Sequence, residues 1–169
     1  MQKKILIIIT CTVAICLACG CNVNRNNNQN QKDMDMINEN KEPVLGLGEA
    51  ITSNFTGDAW LKMLSIQPEY DCDVYNVTFA PGTRNNWHSH AVGQILLCTE
   101  GEGWYQEKDK PARRLRVGDV VNIPANTMHW HGATAKSRFT HIGITPKVRE
   151  NTAEWGGPVT DEEYNALPE

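Results

Sequence analysis

The chain has 169 residues, 40% of them apolar and 21% charged, which suits one globular domain able to bury its own core and leaves little length for a second. Its formal charge of -4 argues against nucleic acid as a partner, because a surface that neutralises phosphates is basic. The basic residues are scattered except for Arg113, Arg114 and Arg116, which read as the solvated face of a strand.

Lys3 and Lys4 precede an apolar run from Ile5 to Ala18, which has the length of a signal-peptide core and is short for a membrane-spanning helix. Residues 1–21 are therefore expected to be an export signal. The stretch Cys16-Leu-Ala-Cys19-Gly-Cys21 resembles the cleavage box of bacterial lipoproteins, in which a cysteine after small residues is lipidated and becomes the mature N-terminus. Cys19 is the first candidate and Cys21 the second. The resemblance implies a protein exported to the bacterial cell envelope, in the periplasm or on the outer surface, and held to the membrane by that lipid. Residues 22–43 are rich in Asn and Gln and lack apolar periodicity, so they read as a disordered tether. Only Cys72 and Cys98 remain in the body of the chain. Cys98 shares strand parity with Gln94 and Leu96 and is expected to point into the core as a small hydrophobe, although an exported protein could pair the two as a disulfide.

Across residues 44–148, short apolar segments alternate with turn residues, the pattern of an all-β sandwich or barrel. The predicted strands are Trp60–Leu64, Val74–Phe79, Gln94–Thr99, Gly103–Gln106, Arg113–Val117, Val120–Ile123, Met128–His131 and Phe139–Ile144. Turns are expected at Pro81-Gly82, Glu100-Gly101-Glu102-Gly103, Lys108-Asp-Lys-Pro111, Gly118-Asp119 and Pro124-Ala-Asn126. In the tail, residues 149–169, Thr160 followed three residues on by Glu163 predicts a capped short helix. The stretch Trp155–Leu167 is expected to pack on the barrel and cover a sheet edge, in the same chain or in a partner.

All five histidines lie between His88 and His141. His88 and His90, one residue apart on an extended segment, project to the same side, and Gln94 returns an amide oxygen to the same neighbourhood after a short turn containing Gly93. A second pair with the same spacing, His129 and His131, follows. The clustering reads as a metal site. Trp87 and Trp130 each precede a candidate ligand and so point away from it, into packing; Phe139 shares parity with His141 and is a candidate wall of the pocket.

Two spaced motifs give the chain a family likeness. Gly82, five residues, His88-x-His90, three residues, Gln94, six residues, Gly101 resembles the first motif of the cupins; Gly118, five residues, Pro124-x-Asn126, two residues, His129 resembles the second. Gln94 stands where the metal-binding glutamate is usual, Asn126 where a glycine is usual and Ala133 where an asparagine often ends the motif. Asn126 is a mild departure, since asparagine tolerates left-handed backbone. The resemblance implies a small conical double-stranded β-helix, the cupin jelly-roll barrel, with His88, His90, Gln94 and His129 as ligands of one divalent transition metal. Three imidazoles and an oxygen suit Mn, placed first, and equally Fe, Zn, Ni, Co or Cu, and leave positions open.

A neutral amide in place of a carboxylate leaves the metal a stronger Lewis acid, which favours proton transfer and carbon–carbon cleavage. The chain is similar to the bacterial metal-dependent cupin hydroxynitrile lyases and to cupins found alongside carboxymuconolactone decarboxylases. In that subgroup, histidines matching His131 and His141 line the pocket, and either implies a general base for a substrate hydroxyl. The expected function is therefore a metal-dependent lyase acting on a small organic molecule, with a dioxygenase and a non-catalytic binding module as alternatives. Cupins of this size often form homodimers.

Overall fold

The computed structural model describes residues 41–67, 69–147 and 153–168. The expected signal segment, Cys19, Cys21 and nearly all of the expected tether lie outside the described residues. Those described form twelve strands and one short helix: β1 (Glu49–Ile51), β2 (Phe55–Thr56), β3 (Ala59–Met63), β4 (Cys72–Phe79), β5 (Arg84–Asn85), β6 (His88–His90), β7 (Gln94–Glu107), β8 (Arg113–Arg116), β9 (Val120–Ile123), β10 (His129–Ala133), β11 (Phe139–Pro146), β12 (Ala153–Trp155) and α1 (Asp161–Asn165).

All strand pairs are antiparallel, and β7 belongs to two sheets. Its first half lies between β11 and β9, in the order β1-β3-β4-β11-β7-β9; its second half lies between β8 and β10, and β10 continues to β5-β2 and to β6-β12. The two sheets wrap face to face into a nearly closed double-stranded β-helix. Burial alternates along the start of β7, with Gln94, Leu96 and Cys98 inside and Ile95 and Leu97 outside, as strand parity requires. Phe79, Leu96, Leu115 and Phe139, all fully buried, form the centre of the core with Val77, Cys98, Val121 and Ile123. Each large apolar side chain buried in this way contributes about 1.5–3 kcal/mol.

One expected turn proves to be a corner of the barrel. Glu100-Gly101-Glu102-Gly103 does not reverse the chain; β7 runs through it for 14 residues. The strand changes sheets there, with an irregular register against β11 between Thr140 and His141. The glycines are needed for close approach: Gly101 has φ +68, and a Cβ on it would lie 2.8 Å from the Arg138 carbonyl carbon, while one on Gly103 would lie 2.6 Å from the Phe139 ring and the Gly132 carbonyl. Gly118-Asp119 is a turn as expected, Asp119 N–H donating to the Arg116 carbonyl at 3.0 Å with Gly118 at φ +91, and the chain keeps its direction along β7 across it. β8 pairs with the second half of β7 and β9 with the first, and Gly118 N–H donates to the Cys98 carbonyl between them. The turn at Pro124-Ala-Asn126 is as expected, with Asn126 at φ +58.

Cys72 and Cys98 are free, and Cys98 is buried. Cys72 pairs with Pro146 and Cys98 with His141 on the shared strand β11. That separates them by about 16 Å along the strand, far beyond the span of a disulfide.

The tail packs on the same barrel. β12 pairs with β6, and the expected capping box is formed, Thr160 Oγ1 accepting from Glu163 N–H and the Glu163 carboxylate from Thr160 N–H. Val159 and Tyr164 cover Trp130 and Trp104, and Tyr164 donates its hydroxyl to the Ala133 carbonyl at 2.8 Å. This cover explains why β10 is buried on both faces. It also fixes Trp130 and Trp87 away from the histidines, as parity predicts.

Candidate metal centre

β6 and β10 lie side by side with His88 directly opposite His129. Period-two alternation then turns His90 and His131 to the same interior face. The ring centroids are 4.2 Å apart for His88–His129, 5.2 Å for His88–His90 and 5.5 Å for His88–His131. His141, on β11, meets His131 edge-on at 4.8 Å. All five imidazoles are buried.

Their hydrogen bonds decide which lone pairs are left over. His88 donates Nδ1–H to the Asn86 carbonyl at 3.0 Å, and His129 donates Nδ1–H to the Thr127 carbonyl at 2.8 Å. Each ring is thus locked by the carbonyl two residues before it, in the tautomer that bares Nε2. The buried Nε2 of His129 has no partner, and neither does either ring nitrogen of His90 or His141. His131 differs: the Asn85 side-chain N–H donates to its Nε2 at 3.1 Å, and the Asn85 side-chain oxygen accepts its backbone N–H at 2.9 Å.

Gln94, the first residue of β7, donates its side-chain N–H to the Tyr75 hydroxyl at 2.6 Å, which leaves its amide oxygen buried and unpartnered. The six residues singled out in the sequence therefore line one interior space, with the nearest set of nitrogens coming from His88, His129 and His131, whose ligand atoms lie within 4.8 Å of one another. Buried lone pairs with no donor to satisfy them are costly, and a convergent set of them on imidazoles and an amide oxygen fits a transition-metal ion.

Burial is the leading cause of every histidine shift. It holds His129 and His141 at about 4 and lowers His88, His90 and His131, with further depression of His88 and His131 by neighbouring imidazoles. In the unfolded chain these groups titrate near 6.5. Below that pH the unfolded state takes up protons that the folded state refuses, so stability falls as the pH drops from 6.5 towards 4 and is unaffected above. His141 alone accounts for on the order of 3 kcal/mol by pH 4. The thermal midpoint of metal-free protein is expected to be level above about pH 7 and to fall steeply below 6.5; a level profile down to pH 5 would show that the imidazoles are charged in the fold.

A cavity of about 250 Å³ opens beside the histidines. His88, His90, Gln94, His131 and His141 supply its polar side; Ile51, Phe55, Leu61, Val77 and Trp155 supply an apolar wall. Phe139, an expected wall, sits instead in the core behind His141, 5.6 Å from its ring. Trp155 was not singled out in the sequence as part of the site. It reaches the site because β12 brings it opposite His88, where its ring stacks at 4.7 Å. Tyr75 and Asn85 were missed as well, and their only local signal is strand parity.

Residues 75–143 match the cupin domain family. An (R)-mandelonitrile lyase of Granulicella tundricola is 39% identical over 89 residues, which span 53% of this chain and 68% of that protein. A cupin-like protein of Thermotoga maritima, solved by crystallography, superposes with a TM-score of 0.70 at 48% identity, over 73% of this chain and 96% of its own. A cupin 2 conserved barrel domain protein of Rhodopseudomonas palustris, 17% identical with a TM-score of 0.58 over 68% of this chain and 78% of its own, shares the fold.

Proposed function

The chain belongs to the cupin family, and on that premise we propose that it is a metal-dependent lyase that breaks a carbon–carbon bond in a small organic molecule. The observation that carries the reading is the set of buried, unpartnered ligand atoms on His90, Gln94 and His129, with His88 locked in the matching tautomer. We assign these four residues as ligands. His131 lies as near to His88 and His129 as a ligand would, but its Nε2 already accepts from Asn85 whereas both nitrogens of His90 are bare. That difference favours His90 as the third imidazole.

A divalent transition metal held there, Mn(II) first and Fe, Zn, Ni, Co or Cu as alternatives, would supply Lewis acidity to a substrate oxygen with no anionic ligand to weaken it. His141 or His131 takes the proton of the substrate hydroxyl. The oxygen's electron pair forms the carbonyl, and the electrons of the breaking C–C bond leave with the departing group. The wall of Phe55, Val77 and Trp155 holds the apolar body of the substrate and excludes water. The mandelonitrile lyase named above supports this class of chemistry, since a cyanohydrin cleaves in this way to a carbonyl compound and hydrogen cyanide.

The test is metal analysis of natively expressed protein with anaerobic assays on a cyanohydrin panel. Turnover without oxygen on manganese or zinc is the expected result. Iron with substrate-dependent oxygen uptake would make the protein a dioxygenase, and binding without turnover over the panel would make it a binding module. The proposal extends to an exported protein anchored in the envelope membrane through Cys19, or failing that Cys21; the support is the apolar run Ile5–Ala18 before them, and loss of lipid labelling in Cys19→Ala tests it. A homodimer is supported by the exposed aliphatic side chains of Ile95, Leu97 and Val120 on adjoining strands, and light scattering decides it.

A further inference from the structure

Gln94 is the one proposed ligand that can present two chemically opposite ends. Its amide is planar and its terminal torsion has two nearly equivalent settings. In one the oxygen faces the imidazoles; in the other the NH2 group does, and its hydrogens point at their bare lone pairs. Something in the protein has to choose.

The far end of the amide is held by a residue outside the histidine strands. Tyr75 on β4 shares strand parity with Val77, and its hydroxyl sits within hydrogen-bond distance of two groups. Gln94 donates Nε2–H to it at 2.6 Å, so the hydroxyl oxygen is the acceptor there. The hydroxyl's other contact is the Thr145 hydroxyl at 2.8 Å, in which either oxygen can donate. Burial raises the Tyr75 pKa above its ordinary value, so the group remains a phenol able to play both parts. A flipped amide would exchange this donation for a bond accepted from the phenol and would bring two hydrogens to the histidines. Tyr75 therefore fixes the far end of the side chain, while the bare imidazole lone pairs decide which end faces them.

The ring of Tyr75 has its own seat. Gly143 on β11 is its direct cross-strand partner, and a Cβ there would lie 2.7 Å from the tyrosine Cζ and 3.0 Å from its hydroxyl oxygen. Gly143 has an ordinary backbone conformation, so its lack of a side chain is explained by the space the phenol occupies rather than by a turn. Along β11, His141, Gly143 and Thr145 share one parity. The same strand therefore delivers the histidine beside the pocket, the seat for the ring and a hydrogen-bond partner for the hydroxyl.

We propose that Tyr75, resting on Gly143 and tied to Thr145, is a positioning residue that holds the amide of Gln94 in place against the histidine cluster. The inference rests on the reading of that cluster as a metal site, and its test separates the two. Tyr75→Phe keeps the ring and removes only the acceptor. With Mn(II) as the probe in calorimetric titration, Tyr75→Phe is expected to bind about 10- to 100-fold more weakly than the parent, the loss usual for a group that orients a ligand. In a Gln94→Ala background the same change is expected to add nothing. Gly143→Ala, which displaces the ring, is expected to reproduce the loss.

A second readout needs no metal. In 15N-labelled metal-free protein the side-chain NH2 resonances of Gln94 are expected to be dispersed and slow to exchange, and in Tyr75→Phe to move to averaged, fast-exchanging positions. Unchanged Gln94 resonances in Tyr75→Phe, or unchanged Mn(II) affinity where the parent binds, would overturn the positioning role. A parent protein that binds no divalent metal, yet shows the resonance change, would overturn the metal reading and leave the positioning intact.

Discussion

His129→Ala is expected to lower the affinity for Mn(II) by more than about 100-fold, because partners that merely orient a ligand are already worth 10- to 100-fold. His129 is fully buried at the centre of the cluster, 4.2 Å from the His88 ring and 5.8 Å from that of His90. Its Nδ1–H is spent on the Thr127 carbonyl, so Nε2 is its only free lone pair and that atom has no other partner. The fold is expected to survive, since the change removes one hydrogen bond worth about 1 kcal/mol and a side chain whose neutrality at pH 7 costs nothing. Titration with a competing fluorescent chelator, alongside circular dichroism to confirm the fold, checks both parts. The companion comparison is sharper still: His90→Ala should also weaken binding, whereas His131→Ala should retain it. The reverse order would move the third ligand to His131, the residue that geometry alone groups with His88 and His129.

The features that could be read in advance are those fixed by local rules. Two His-x-His pairs on extended backbone had to present four imidazoles to one face, and the Thr160–Glu163 spacing had to cap a helix. Glycine was read less well because it carries two meanings. Gly101 and Gly103 looked like turns, and Gly101 has the positive φ that turns use, but here they let a continuous run bend between sheets against a neighbouring backbone. Such close approach depends on residues far along the chain, Arg138 and Gly132 among them. The same non-locality hid Tyr75, Asn85 and Trp155. Each acts on the site across a strand pairing whose register no short window of sequence contains, and Trp155 does so from a tail expected to cover a sheet edge, with no local signal for the residue it would meet there.

His141→Ala is expected to cut turnover by about 10²- to 10⁴-fold while leaving the Mn(II) content unchanged, the range associated with a positioned general base. Of the two candidates, His141 has the freer lone pair. Both of its nitrogens are without a partner, while the Asn85 side-chain N–H donates into the His131 ring. The rings of Phe79 and Phe139 hold it from behind at 5.7 and 5.6 Å, and burial holds its pKa at about 4, so at neutral pH the imidazole is uncharged and keeps its lone pair, while being a weaker base than an exposed imidazole. His141→Asn preserves polarity and some volume, and should be as inactive as the alanine variant if proton transfer is the role; recovery of activity in the asparagine variant would mark His141 as a packing residue. A loss confined to kcat/KM with kcat intact would assign it to substrate binding. Full turnover in His141→Ala with metal retained would pass the role of base to His131, and its coupling to Asn85 would then become part of the proton path.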